Sequence, residues 1–205
     1  RYMNSLDYLV VVNPIAGGND KTDFYAFVEA ESKLRPFSYQ IYKTTGQNDA
    51  GALKELITTT SPKAIIAVGG DGTLLLVATA VKNTDIKVGL IPFGSANGMS
   101  KELEIPKIPE LNLSLNPHQR FKPCWEIIKK ERVRTIDILQ INKHHFSMHL
   151  SDIGLNAKIV KRFEAEKIRG YFGYARLVIK VFRQRKRIAY RMITDGKTYR
   201  GKAYM

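Results

Sequence analysis

Gly69-Gly70-Asp71-Gly72-Thr73 is the segment of this chain whose residue types are best suited to chemistry. Three glycines let the backbone approach a ligand closely and adopt turns that a Cβ forbids. The segment follows Ala64-Ile65-Ile66-Ala67-Val68, which reads as a buried strand, and precedes Leu74-Leu75-Leu76-Val77-Ala78, which reads as the start of a helix. A helix N-terminus offers unpaired N–H groups and a partial positive charge, so the ligand this arrangement suits is a phosphate. Asp71 is the odd member. A carboxylate beside phosphates is repulsive unless a cation bridges them or the carboxylate meets the proton of an attacking group. That combination points to phosphoryl transfer rather than passive binding. Gly-Asp-Gly is also an ordinary tight turn, but the strand–glycine–helix context is the one phosphate chemistry needs.

The elements that must position this segment alternate strand and helix. Asp7 to Val12, Phe37 to Tyr42, Ala64 to Val68 and Lys87 to Ile91 read as strands. Lys21 to Leu34 and Asn48 to Thr60 carry apolar residues at helical spacing. Such alternation predicts a parallel sheet with helices on both faces, which binds ligands at the carboxyl ends of its strands. The other strand ends also carry small or polar residues: Asn13-Pro14-Ile15-Ala16-Gly17-Gly18, then Thr44-Thr45-Gly46-Gln47, then Pro92-Phe93-Gly94-Ser95-Ala96-Asn97. Each is weak alone. Four in register at one sheet edge would surround a nucleotide with backbone donors, hydroxyls and amides. The chain contains neither GxxxxGK[ST] nor GxGxxG, which argues against a Walker-type ATPase and an ordinary dinucleotide oxidoreductase.

Beyond residue 105 the texture changes. Pro106 to Pro123 holds four of the eight prolines and reads as a linker or long connection. Val133 to Ile141 and His145 to Leu150 read as a hairpin turning at Asn142-Lys143. Ile188 to Ile193 and Thr198 to Tyr204 read as another, turning at Asp195-Gly196. Between them Gly173 to Arg187 reads as a helix, with Tyr174, Leu177, Val178, Val181 and Phe182 on one stripe. That helix suits either core packing or an anionic membrane interface. His144, His145 and His149 lack a carboxylate or thiol at ligand spacing and read as hairpin surface. Cys124 reads as core.

Composition excludes several classes. No apolar run approaches the roughly 20 residues of a membrane span. The start shows no signal-peptide pattern, and one cysteine permits no intramolecular disulfide, so a cytosolic protein is expected. The chain opens on Arg1 and closes inside a strand pattern, so it reads as a fragment. Lys and Arg outnumber Asp and Glu by 33 to 19. Twelve of those cations lie between Lys158 and Arg191, against only Glu164 and Glu166. Nucleic acid, an anionic lipid surface or phosphate-rich ligands would each suit that excess.

Taken together, Asn13-Pro14 with Gly17-Gly18, Thr45 with Asp49-Ala50, Gly69 to Thr73, and Pro92 to Asn97 resemble the diacylglycerol kinase catalytic-domain family, which includes bacterial soluble lipid kinases and the sphingosine and ceramide kinases. Ile136-Asp137-Ile138, Ile153 to Ala157 and Gly170 to Tyr174 extend the likeness. The glycine motif alone is shared with NAD kinases; the Asn-Pro start and the Gly-Ser-Ala-Asn loop favour lipid kinase. The resemblance implies a three-layer α/β nucleotide-binding domain, placed at 1–131. It further implies an antiparallel β-rich, sandwich-like domain at 132–205 that reads as truncated.

The resemblance also implies transfer of the ATP γ-phosphoryl group to a lipid hydroxyl, with Mg²⁺. Asp71 would be the catalytic carboxylate or its metal-linked partner. Asn13, Gly17, Gly18, Thr45, Gly69, Gly70, Gly72, Thr73, Gly94, Ser95, Asn97 and Arg169 would contact the nucleotide. No metal ligand is assigned. Asn156-Ala157-Lys158-Ile159-Val160 offers no carboxylate to a cationic sphingoid base, so a neutral lipid such as diacylglycerol is the expected acceptor. Implied partners are a lipid substrate at an anionic membrane surface, met peripherally from the cytoplasm, with a homodimer left open. An NAD kinase-like phosphotransferase is the rival enzyme. A basic nucleic-acid-binding protein is the rival class, though no nucleic acid is expected, because the basic stretch lacks an RNA-binding aromatic motif and a helix-turn-helix.

Overall fold

A computed structural model of the chain describes residues 5–18, 20–109, 116–148, 183 and 186–204. Four strands form a parallel sheet: β1 (Tyr8–Val12), β2 (Tyr39–Lys43), β3 (Ala64–Gly69) and β4 (Lys87–Pro92), in the order β2-β1-β3-β4. Val12 pairs with Lys43 and with Val68, and Gly69 pairs with Pro92, so all four strands end at one edge. The central strands are continuous apolar runs because both of their faces are covered.

Alternation along the strands divides the core into two layers. Val10, Val12, Ile66, Val68 and Ile91 face α1 (Thr22–Leu34) and the later helix Pro117–Lys129. Leu9, Val11, Ile65, Ala67 and Leu90 face α2 (Asp49–Thr60) and α3 (Asp71–Ala80). The α1 contribution follows its sequence: Phe24, Phe27, Val28 and Glu31 fall at i, i+3, i+4 and i+7 and are all buried. Glu31 is tolerated there because His118 Nδ1 lies 3.4 Å and Lys129 Nζ 3.9 Å from its carboxylate oxygens.

The short helix α4 (Gly98–Glu102) follows β4, and α5 is Pro117–Lys129. That helix corrects the reading of 106–123 as a connection, because it starts six residues before the expected end. Asn116 and Gln119 form a reciprocal capping box, with bonds of 2.9 and 3.1 Å. Pro117 at the first helical position lacks a donor that would have no partner there anyway. Pro123 does remove one helical hydrogen bond, and burial of Phe121, Cys124 and Trp125 outweighs it.

The remaining described strands are antiparallel pairs. β5 (Leu139–Ile141) pairs with β6 (His145–Ser147), which is shorter than the sequence pattern predicts. Residues 132–138 are exposed or half-buried and form no ladder. β7 (Arg187–Thr194) pairs with β8 (Lys197–Tyr204) through Asp195-Gly196, both at positive φ, as a two-residue turn of this hand requires. Its two faces differ. Ile188, Tyr190, Met192 and Tyr199 lie on one, whereas Arg187, Arg191, Arg200 and Lys202 lie on the other.

The chain divides into two compact units, Arg1–His149 and Leu150–Met205. The β5–β6 hairpin goes with the first, whereas the resemblance implies a boundary after residue 131. Lys82 lies over the Phe146 ring, and Met148 packs against the α2–α3 layer. Of the expected helix at 173–187 the described residues are Arg183, which is helical, and Lys186 and Arg187, the last of which already belongs to β7; the rest lies outside the described residues. Among the described residues no helix is long and apolar enough to cross a membrane.

Candidate functional site

The sheet topology makes a crevice before any side chain is considered. The chain leaves β1 toward the α1 layer and leaves β3 toward the α3 layer. Their diverging loops open a cleft at the carboxyl edge, the point where ligands bind in such sheets. The loops after β2 and β4 flank it. All four expected segments are therefore brought to one edge.

After β1, Asn13 N–H donates to Val68 O, and its side-chain Oδ1 accepts from Ile15 N–H at 3.1 Å. Gly17 and Gly18 follow at φ +65° and +66°, in the region that favours glycine. Lys21, unremarked in the sequence, is buried here. Its ammonium donates to Ala16 O at 2.8 Å and lies 4.6 Å from the Phe93 ring centroid, so it ties the β1 loop to the β4 loop. Burial pushes its pKa down. No local pattern marks it, because both partners come from folding.

After β3, Gly70 forms the N-cap of α3 and no side chain caps that helix. The first-turn N–H groups of Gly72 and Thr73 are therefore placed for an anion. A Cβ at Gly72 would meet nothing within 4 Å, whereas the Thr73 side chain is buried against Gly69. Gly70 and Gly94 pack backbone against backbone, which explains a glycine at both positions. Ser95 is exposed at the rim. Asn97, at φ 50°, donates from Nδ2 to Gly94 O, and its buried Oδ1 has no partner among the described residues.

Asp71 stands at the first position of α3 yet serves a different helix. Its Oδ2 accepts from Gly98 N–H at 2.8 Å and its Oδ1 from Met99 N–H at 2.9 Å. These are the first two N–H groups of α4, whose own N-cap residue Asn97 makes no capping bond. Of these two adjacent helix N-termini, that of α4 is occupied by Asp71 and that of α3 is open.

Asp49 plays the same part after β2. Its carboxylate accepts from Thr45 N–H at 2.9 Å, Gly46 N–H at 2.8 Å and the Tyr42 hydroxyl at 2.6 Å. The Thr45 hydroxyl donates to Gln47 O within the same exposed loop, at 3.0 Å. Tyr42 holds the Asp49 pKa below its usual value, and the carboxylate in turn pushes Tyr42 up to about 12. A carboxyl group depressed in the folded state stabilises fully above its unfolded pKa, and that contribution is lost as pH falls through the folded value. Asp49→Asn should therefore cost about 2 kcal/mol near neutrality, a typical loss for charge-assisted bonds. The gap from wild type should narrow below pH 4 in urea unfolding. A gap independent of pH would remove the carboxylate from this role.

Arg169 lies outside the described residues. So do the family-like segments 153–157 and 170–174. Cys124 is buried, its thiol donates to Pro106 O and burial pushes its pKa up to about 11, as a core role requires.

The comparisons with known proteins agree with this geometry. The family model "Diacylglycerol kinase catalytic domain" matches residues 7–141, the span that holds the whole sheet and all four loops. A Serratia proteamaculans protein named "Probable lipid kinase YegS-like" is 26% identical over 171 residues, covering 80% of this chain and 50% of that protein. One from Yersinia pestis with the same name is 29% identical over 157 residues, covering 74% and 47%. The chain thus spans about half the length of these relatives. A diacylglycerol kinase crystal structure from Bacillus anthracis matches 99% of this chain and 63% of its own, with a TM-score of 0.59 and 24% identity, a likeness of fold. A parallel sheet with four loops at its switch-point edge and a family match over more than half of the sequence lead to one assignment: the chain belongs to the diacylglycerol kinase catalytic domain family.

Proposed function

We propose that this protein is an ATP-dependent lipid kinase that transfers the γ-phosphoryl group to the hydroxyl of a neutral lipid such as diacylglycerol. The observation that carries the reading is the gathering of Asn13, Thr45, Gly70 and Gly94 at one sheet edge around the uncapped N-terminus of α3. Phosphoryl transfer needs positioning and charge neutralisation more than covalent chemistry. The N–H groups of the first α3 turn would hold phosphate oxygens, and the αL glycines would let the β1 loop close over them.

Mg²⁺ would supply charge neutralisation between phosphates when bound. Among the described residues no three His, Cys, Asp or Glu side chains group as a metal cage. Mg²⁺ commonly binds through substrate phosphates and water with one or two carboxylates, and Asp71 is the carboxylate at the β3 end of this edge. Each of its oxygens accepts one N–H group and keeps a further lone pair.

The acceptor reading rests on the absence of a carboxylate from Asn156 to Val160. Peripheral docking at an anionic membrane rests on the cations between Lys158 and Arg191 and on the cationic face of the β7–β8 hairpin. Each basic residue near such a surface contributes about 1 kcal/mol, screened by salt.

Turnover of ATP against three acceptors tests the reading. Diacylglycerol in mixed micelles should be phosphorylated, faster with anionic lipid present and slower at high salt. NAD and sphingosine should not. Phosphorylation of NAD without lipid turnover would favour the rival phosphotransferase.

A further inference from the structure

We propose that Asp71 is a positioning residue that holds the Gly94–Asn97 loop through the first two N–H groups of α4, rather than the group that takes the acceptor's proton. The proposal rests on the kinase reading for its importance, but the geometry stands apart from it. Two backbone donors, Gly98 N–H and Met99 N–H, converge on one carboxylate at 2.8 and 2.9 Å. A helix of five residues does not hold its own first turn, since helix nucleation is unfavourable at that length. Asn97, at φ 50° in the left-handed region that asparagine tolerates, caps neither of these N–H groups itself. Asp71 supplies the acceptors from the neighbouring strand end.

The consequence reaches the ligand edge. Gly94 touches Gly70 through the backbone, and the buried Asn97 Oδ1 lies close to both glycines. Displacing α4 therefore moves Ser95, Asn97 and the N-cap of α3 together. The amide in Asp71→Asn cannot replace the carboxylate. Asparagine has one acceptor oxygen, and its NH₂ would face the second N–H donor. The substitution ordinarily used to test for a catalytic base thus breaks the clamp as well, and lost turnover alone does not identify a base.

The test reads the loop, the nucleotide and the turnover separately. In the wild-type protein, hydrogen exchange at Gly98 and Met99 should be at least tenfold slower than at Ser95 and Ala96. In Asp71→Asn that protection should fall about tenfold. The KM for ATP should rise by about tenfold, more than kcat falls, with the pH profile of kcat keeping its wild-type shape. Unprotected Gly98 and Met99 amides in the wild type overturn the clamp, even if no variant folds. Intact protection and unchanged KM in Asp71→Asn, with kcat lost and the acidic limb of its profile gone, would place Asp71 on the reacting atoms. A wild type that does not phosphorylate lipid defeats the kinase reading, while the exchange measurement still decides the clamp.

Discussion

Gly94→Ala should cost about 2–3 kcal/mol of stability and weaken nucleotide binding at least tenfold, the upper range for forcing an extra methyl into packed structure. A Cβ at Gly94 would lie 2.5 Å from Gly70 Cα, 2.6 Å from Asn97 Oδ1 and 3.1 Å from Gly70 N. Two of these neighbours are backbone and cannot rotate away. Gly94 is further tied by its N–H to Gly69 O at 3.2 Å, so relief requires moving the whole β4 loop. Gly72→Ala is the matched control. Its Cβ would enter open space within a helix, where alanine is favoured over glycine by about 0.5–1 kcal/mol. Urea unfolding should separate the two variants, and calorimetric ATP titration should show the loss for Gly94→Ala. A Gly94→Ala protein within 0.5 kcal/mol of wild type, by the ordinary scale of neutral surface changes, would mean that the two loops do not meet as described.

Trp125→Ala should lower stability by about 3–5 kcal/mol, the range for deleting a buried aromatic. Trp125 is fully buried on α5, with ring centroids of Tyr8, Phe37 and Phe27 at 5.5, 5.6 and 5.9 Å. It joins α5 to α1 and to the start of β1. That start lies about 13 Å from the carboxyl edge at ordinary strand rise. The folded fraction should therefore bind ATP as the wild type does. Trp125→Phe should cost less, since it keeps much of the packing and removes an indole N–H with no partner among the described residues. Equal losses for the two variants, or a parallel loss of ATP affinity, would contradict this separation of core from site.

Much of this was legible in the chain because it is local. Tyr8–Val12 and Ala64–Gly69 are apolar without interruption, and only a strand covered on both faces has use for that pattern. Gly69 to Thr73 stands where strand must become helix. Asp195-Gly196 meets the stereochemical demand of a two-residue hairpin turn. The α5 start was obscured by its prolines, although the Asn116-Pro117-x-Gln119 spacing was available as a capping signal.

What was not legible depends on partners far apart in sequence. Asp71 bonds to residues 27 and 28 positions away, and Lys21 meets a ring on the fourth strand's loop. Residue types made Asp71 a candidate for chemistry, and the resemblance implied nucleotide contacts at Asn13 and Thr45. Folding commits much of their polar capacity to shaping the loops. On the proposed reading, the first turn of α3 and the backbone of the glycine loops would hold the ligand.

The most direct measurement is a crystal structure of the protein with a non-hydrolysable ATP analogue and Mg²⁺. The phosphates should lie within hydrogen-bond distance of the Gly72 and Thr73 N–H groups, between the Asn13–Gly18 and Gly94–Asn97 loops. Phosphates bound elsewhere, with the first turn of α3 still facing solvent, would contradict the assignment of this edge as the nucleotide site.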